Sequence, residues 1–318
     1  MLRSSAILPL ALVPVLLLVP VPSADLSARA ALSKSAAAHD RIGFADKKDR
    51  PEKAPDVEVR FLDEKDEGWS IAETTNFRIF HKHRKDLIEK VARVAEMSRT
   101  NAYAKWLGAA DEAWNPKCFI YVDNAEGGNT KSLHGVRGYA KRGGLGWSTR
   151  RYIRVRAKDP GLLDSVLPHE ITHAVMFGEF VESDAPPWAH EGMAGLAQSK
   201  SDLDQYKETV LNAYRTRGLF YVGKVIDLDE YPADDVGVYY AESVSLVEFL
   251  VHEKGERGFI RFLRDAVRTG TEAALKKHYG FADFRDLEKR WKAYTFGDGQ
   301  RPPQGFARLT EQVKERPA

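Results

Sequence analysis

Residues 159–199 read DPGLLDSVLPHEITHAVMFGEFVESDAPPWAHEGMAGLAQS, and the pattern within them decides the fold and the chemistry. His169-Glu170-Ile171-Thr172-His173 is an HExxH run inside a stretch of helical periodicity covering 161–178. Histidines at i and i+4 stack a turn apart on one helix face, so two imidazoles can take neighbouring corners of one zinc tetrahedron. Glu170 projects beside them without ligating, where it can take a proton from water and pass it to a leaving amine. With only 9 histidines in 318 residues, chance rarely produces such a run. Pro168 stands immediately before His169, and deep in a helix its ring would clash with the Asp164 carbonyl. The helix is therefore expected to begin near Asp164 or Ser165, or to kink there.

Such a site needs a third protein ligand and an open fourth corner. The metzincin spacing would put Gly at 176 and His at 179, but Met176 and Glu179 stand there. A second helix, expected over 188–199, opens at Pro186-Pro187-Trp188 and carries His190 and Glu191 side by side. Neighbouring helix residues point about 100° apart, so only one of the two can face the metal.

The surrounding chain sets the context. Its single cysteine, Cys118, excludes a disulfide framework, a Cys-rich zinc finger and an iron–sulfur cluster, and reads as buried packing in the strand-like run KCFIYVD. Lys+Arg at 48 against Asp+Glu at 46 leaves +2, which argues against a nucleic-acid partner. Ala6 to Val21 is an apolar run behind Arg3, broken by Pro9, Pro14 and Pro20. It has the layout of a secretory signal peptide, 1–24 with cleavage between 23 and 30, rather than of a membrane span. Export to the periplasm, the envelope or the medium is expected. Residues 25–56 read as a flexible linker, 57–297 as one domain and 298–318 as a polar tail.

Within the domain, strand-like alternation comes first, at 57–63, 76–82, 117–123 and 151–157, with a helical stretch at 84–107. The Gly-rich stretch 126–148 reads as a loop and hairpin. After Pro160 helical periodicity takes over, at 203–217, 240–253, 256–268, 271–279 and 283–294. The order implies an α+β fold: a mixed or antiparallel sheet with a helix, then a mainly helical half. His81 and His83 read as a solvated strand end, His252 as a surface residue and His134 as a loop residue.

HExxH followed by the helix PPWAHEGMA resembles the gluzincin metallopeptidases, and more closely the bacterial peptidase MA-like domains. ETTNFRIFHK (73–82) is similar to that domain's opening strand, Tyr240-Ala241-Glu242-Ser243 to its YAxS helix, and FRDLEKRWKAY (284–294) to its closing helix. The resemblance implies a zincin-like fold, one Zn2+ per chain, Glu191 as the third ligand and a peptide or protein substrate. It further implies a tyrosine that steadies the oxyanion, with Tyr240 favoured over Tyr239. In such folds the edge strand before the zinc helix pairs with extended substrate, and RYIRVRA (151–157) occupies that place. Its Tyr152, Arg154 and Arg156 share one face, where they either favour acidic substrates or guard an exposed edge. The orienting partners of the two histidines are sought among Glu179, Asp184, Glu242 and the backbone. The expected activity is hydrolysis of peptide bonds, with a zinc hydrolase of a non-protein envelope amide and a zinc-stabilised binding module as alternatives.

Overall fold

The structure, a computed structural model, describes residues 57–108, 112–123, 138–143, 150–180, 184–228, 231–232 and 234–297. The expected signal peptide, linker, polar tail and His134 lie outside them. Strands β1 (Arg60–Asp66), β2 (Trp69–Glu73) and β3 (Phe77–His81) form an antiparallel meander. Helix α1 (Lys85–Ala102) then connects β3 to β4 (Cys118–Asp123), which runs parallel to it. Strands β5 (Gly138–Gly143) and β6 (Arg150–Arg156) complete a sheet of order β1-β2-β3-β4-β6-β5. The fold is α+β, as expected.

One strand changes place relative to the sequence reading. β6 is not the edge: it pairs with β4 on one side and with β5 on the other. β5 is the edge beside the helices, and it comes from the Gly-rich stretch read as loop and hairpin. GYAKRG contains no β-branched residue and only one aromatic, so its composition marked a hairpin without fixing the bounds of this strand.

The two faces of the sheet are covered differently. Phe77, Ile79, Cys118, Ile120, Val122, Ile153 and Val155 are buried in one core with the helices. On the opposite face Trp69, Phe80, Tyr121, Phe119 and Tyr152 form a ladder of rings, each with a cation over it. Those cations are Lys82, Arg78, Arg154, Arg150 and Lys141, respectively. These long side chains shield the rings, so central Phe80 is only 2% exposed. Arg154 belongs to this face, away from the helices. His81 corrects another expectation, since it is buried at 3% exposure with its edge against Phe61.

The helical half contains α2 (Leu167–Glu179), α3 (Pro187–Gly195), α4 (Lys200–Thr216), α5 (Val222–Asp227), α6 (Val236–Thr269), α7 (Thr271–Tyr279) and α8 (Phe284–Phe296). α6 is broken at Gly255 (φ 68°, ψ 168°), where the two expected helical periods also part. α2 starts at Leu167, later than the sequence suggested, because a π-helical turn, Leu162–Val166, precedes it. There the amides of Val166 and Leu167 reach back five residues to the Gly161 and Leu162 carbonyls. Pro168 then falls in the first turn of α2, where no amide hydrogen is required.

α3 packs mainly on α6, and two glycines make that possible. A Cβ on Gly192 would press into Val247 and come 2.5 Å from the Ser243 carbonyl oxygen; one on Gly195 would press into Val244. Because a helix backbone cannot yield as a side-chain tip can, Gly192→Ala is expected to cost about 1–3 kcal/mol. Urea unfolding would show this as a lower midpoint with an unchanged slope.

Candidate metal centre

His169 and His173 project from α2 and Glu191 from α3, all nearly free of solvent. The histidine rings meet edge to face with centroids 4.7 Å apart and Nε2 atoms 3.1 Å apart. Glu191 Oε2 lies 3.4 Å from His169 Nε2, and Oε1 lies 3.7 Å from His173 Nε2. One donor atom from each residue falls within 4.8 Å of the others. Ligands at about 2.0–2.1 Å around a tetrahedral zinc sit roughly 3.3 Å from one another, so this donor set fits that ion. Glu191 Oε2, buried and without a hydrogen bond among the described residues, fits it as well.

The outer nitrogens of both histidines are engaged, which leaves Nε2 bare. His169 Nδ1 donates to Gln198 Oε1 at 3.2 Å, and Tyr206 Oη donates to the same oxygen at 2.8 Å. His173 Nδ1 lies 3.4 Å from His190 Nδ1. Burial, with the Arg142 charge nearby, pushes the pKa of His190 down to about 4, so it is neutral and able to accept. His190 thus stands behind His173, and Glu191 is the member of the pair that joins the two histidines.

The anticipated orienting carboxylates are all committed elsewhere. Glu179 pairs with Arg264 at 2.5 Å, Asp184 with Arg142 at 2.7 Å, and Glu242 accepts the Phe220 amide at 2.8 Å. Gln198 follows α3, at the start of the turn into α4, and its sequence context carries no signal for this role. Tyr231 was likewise missed: its hydroxyl donates to Glu191 Oε1 at 2.7 Å. Nothing but the geometry connects it to a residue 40 positions earlier.

Glu170 is 1% exposed, and burial pushes its pKa up to about 8 against the pull of His169. Its Oε2 has no hydrogen bond among the described residues. The edge strand passes close by: a Cβ added to Gly138 would lie 3.1 Å from Glu170 Oε1. Tyr240, at the start of α6, stacks on Tyr231 with centroids 5.7 Å apart. Burial, and then the Glu191 charge, hold its hydroxyl well above the usual tyrosine range. Cys118 is buried in β4, and burial pushes its thiol up, which suits packing rather than chemistry.

Residues 160–297 match the Peptidase MA superfamily. That match supports a likeness to the peptidase MA domains over this stretch. The matched stretch runs from the turn before α2 through α8 and includes both ligand helices. No curated protein matches the chain. The likeness supports a metallopeptidase-type function on a peptide or protein, and the His169–His173–Glu191 set could hold the metal, usually zinc, that such proteins use. Among the described residues, no helix is long and apolar enough to cross a membrane.

Two outcomes follow from this geometry. Purified Glu191→Ala is expected to lose stoichiometric zinc by elemental analysis, whereas His190→Ala keeps one ion bound more weakly, by about 10- to 100-fold. Glu242 offers a separate test, since burial raises its pKa from 4.5 to about 8 in the folded protein. The stability linked to its proton is full below about pH 4.5 and is lost as the pH rises through about 8. Urea titrations across that window should show a decline that is shallower in Glu242→Gln, which keeps an oxygen to accept the Phe220 amide.

Proposed function

We propose that this protein is an exported zinc-dependent metallopeptidase that hydrolyses peptide bonds with Glu170 as general base. The observation that carries the reading is the pairing of a compact His169–His173–Glu191 donor set with a buried Glu170 carboxylate on the helix of the two histidines, its Oε2 without a hydrogen bond among the described residues. A structural zinc site closes all four corners with protein ligands and has no use for such a base. The chemistry that zinc supplies in such a site is polarisation of the scissile carbonyl and acidification of a water.

The chain's own residues do the rest. Glu170 takes the proton from the attacking water and delivers it to the departing amine. The Tyr240 hydroxyl donates to the oxygen on which negative charge develops. An extended peptide adds to the outer side of β5, which pairs with no further strand among the described residues and whose backbone passes Glu170 at Gly138, so that main-chain hydrogen bonds hold the scissile bond beside the base. An acidic preference finds no support in β6: Arg154 lies over Tyr121 on the far face of the sheet, and the strand's alternation puts Arg156 there too. Export rests on the apolar run of residues 6–21 and its proline-broken, signal-like layout.

The test is a mass-spectrometric cleavage profile of a diverse peptide mixture. Wild type and Glu170→Gln would be compared, each shown to hold one zinc. Cuts by the wild type that fall by roughly 100- to 10,000-fold in the variant are expected. Identical profiles from two zinc-loaded proteins would rule the peptidase reading out, in favour of a non-peptide hydrolase or a binding module.

A further inference from the structure

Three tyrosines gather beside Glu191. Tyr231 stacks on Tyr240 at an interplanar angle of 16° and meets Tyr239 edge-on at 87°, with centroids 5.7 and 5.9 Å apart. Tyr239 and Tyr240 both belong to α6, the helix against which α3 is tightly packed. The two rings therefore seat Tyr231 in the same frame that seats Glu191. Its hydroxyl donates to Oε1 of Glu191 at 2.7 Å, whereas Oε2 of that carboxylate is buried with no hydrogen bond among the described residues.

We propose that Tyr231 is a positioning residue of the metal centre, one that occupies Oε1 of Glu191 and so leaves Oε2 as the oxygen offered to the metal. The proposal rests on the reading of Glu191 as a metal ligand. A carboxylate has two equivalent oxygens and rotates freely about its last bond, so an unrestrained glutamate can bind through either oxygen or both. A hydrogen bond to one oxygen removes that choice. It also keeps the second oxygen from taking up the corner that water and substrate need in a four-coordinate site. The ring stack gives the hydroxyl its precision, because stacked tyrosines lose few rotamers when buried, unlike a lysine or glutamine placed for the same task.

Tyr231→Phe tests this, since it keeps the ring in the stack and removes only the donor. Zinc affinity would be measured by competition with a chromophoric chelator, and the melting temperature would be measured on zinc-free protein. The expected result is zinc binding weaker by about 10- to 100-fold with an unchanged zinc-free melting temperature. A variant that binds zinc as tightly as the wild type overturns the proposal while leaving the peptidase reading intact. A variant whose loss of affinity only tracks a lower zinc-free melting temperature overturns it too, because Tyr231 would then be packing alone. A wild type that binds no zinc would overturn the peptidase reading together with this one.

Discussion

The close approach of α3 to α6 is the constraint on which the rest of the site depends. Gly192 and Gly195 let the α3 backbone lie against Ser243, Val244 and Val247 where any side chain would collide. Glu191 is the residue immediately before Gly192, so the depth to which α3 sinks sets how far Glu191 extends toward the histidines. The Glu-Gly pair is therefore one device with two parts, a donor and the space that lets it arrive. Two buried carboxylates side by side repel each other and resist desolvation, and the packing of α3 on α6 must offset that.

The other ligand helix is held from the sheet. Arg151 points inward from β6, lies over Trp114 at 4.5 Å and donates from Nε to the Ala174 carbonyl at 2.9 Å. A Cβ on Gly178 would come 2.6 Å from that guanidinium, so α2 has a small residue where the arginine passes. α2 thus has a glycine where the arginine from the sheet passes, and α3 has two where it meets α6. The candidate metal centre lies between these two contacts, which is how a site gains the precision that loop-borne ligands lack.

What was legible in the sequence follows from the same physics. HExxH could be read because i and i+4 on a helix have a fixed relation that needs no tertiary information. The strand-then-helix order was legible for a similar reason, as was the break near Gly255, since periodicity is local. Residues left to long-range packing were not. His190 and Glu191 are one position apart, and only the tilt of α3 decides which one faces the histidines. The orienting groups were sought among carboxylates, yet Glu179 and Asp184 are taken by Arg264 and Arg142, and an amide and an imidazole serve instead. The hairpin leading into β6 was legible from its glycines, but the bounds of β5 were not, because a strand built mostly of Gly, Ala, Lys and Arg has its register set by the neighbour with which it pairs.

The choice of neutral orienting groups has an electrostatic consequence. A carboxylate behind each histidine would add two negative charges to a pocket that already holds Glu170 and Glu191, both 1% exposed. Such a pocket would bind a dication tightly but would be hard to fold without one, because four buried carboxylates would each raise the cost of ionising the others. Gln198 and His190 fix the tautomers of His169 and His173 at no cost in charge. Tyr206 and Tyr231 extend the same economy outward, donating hydroxyl hydrogen bonds to Gln198 and Glu191. With the three candidate ligands on two helices and Gln198 and His190 uncharged, the centre can be assembled by packing before any ion arrives. The two carboxylates that remain are the ones the proposed chemistry needs: Glu191 to hold an ion and Glu170 to move a proton.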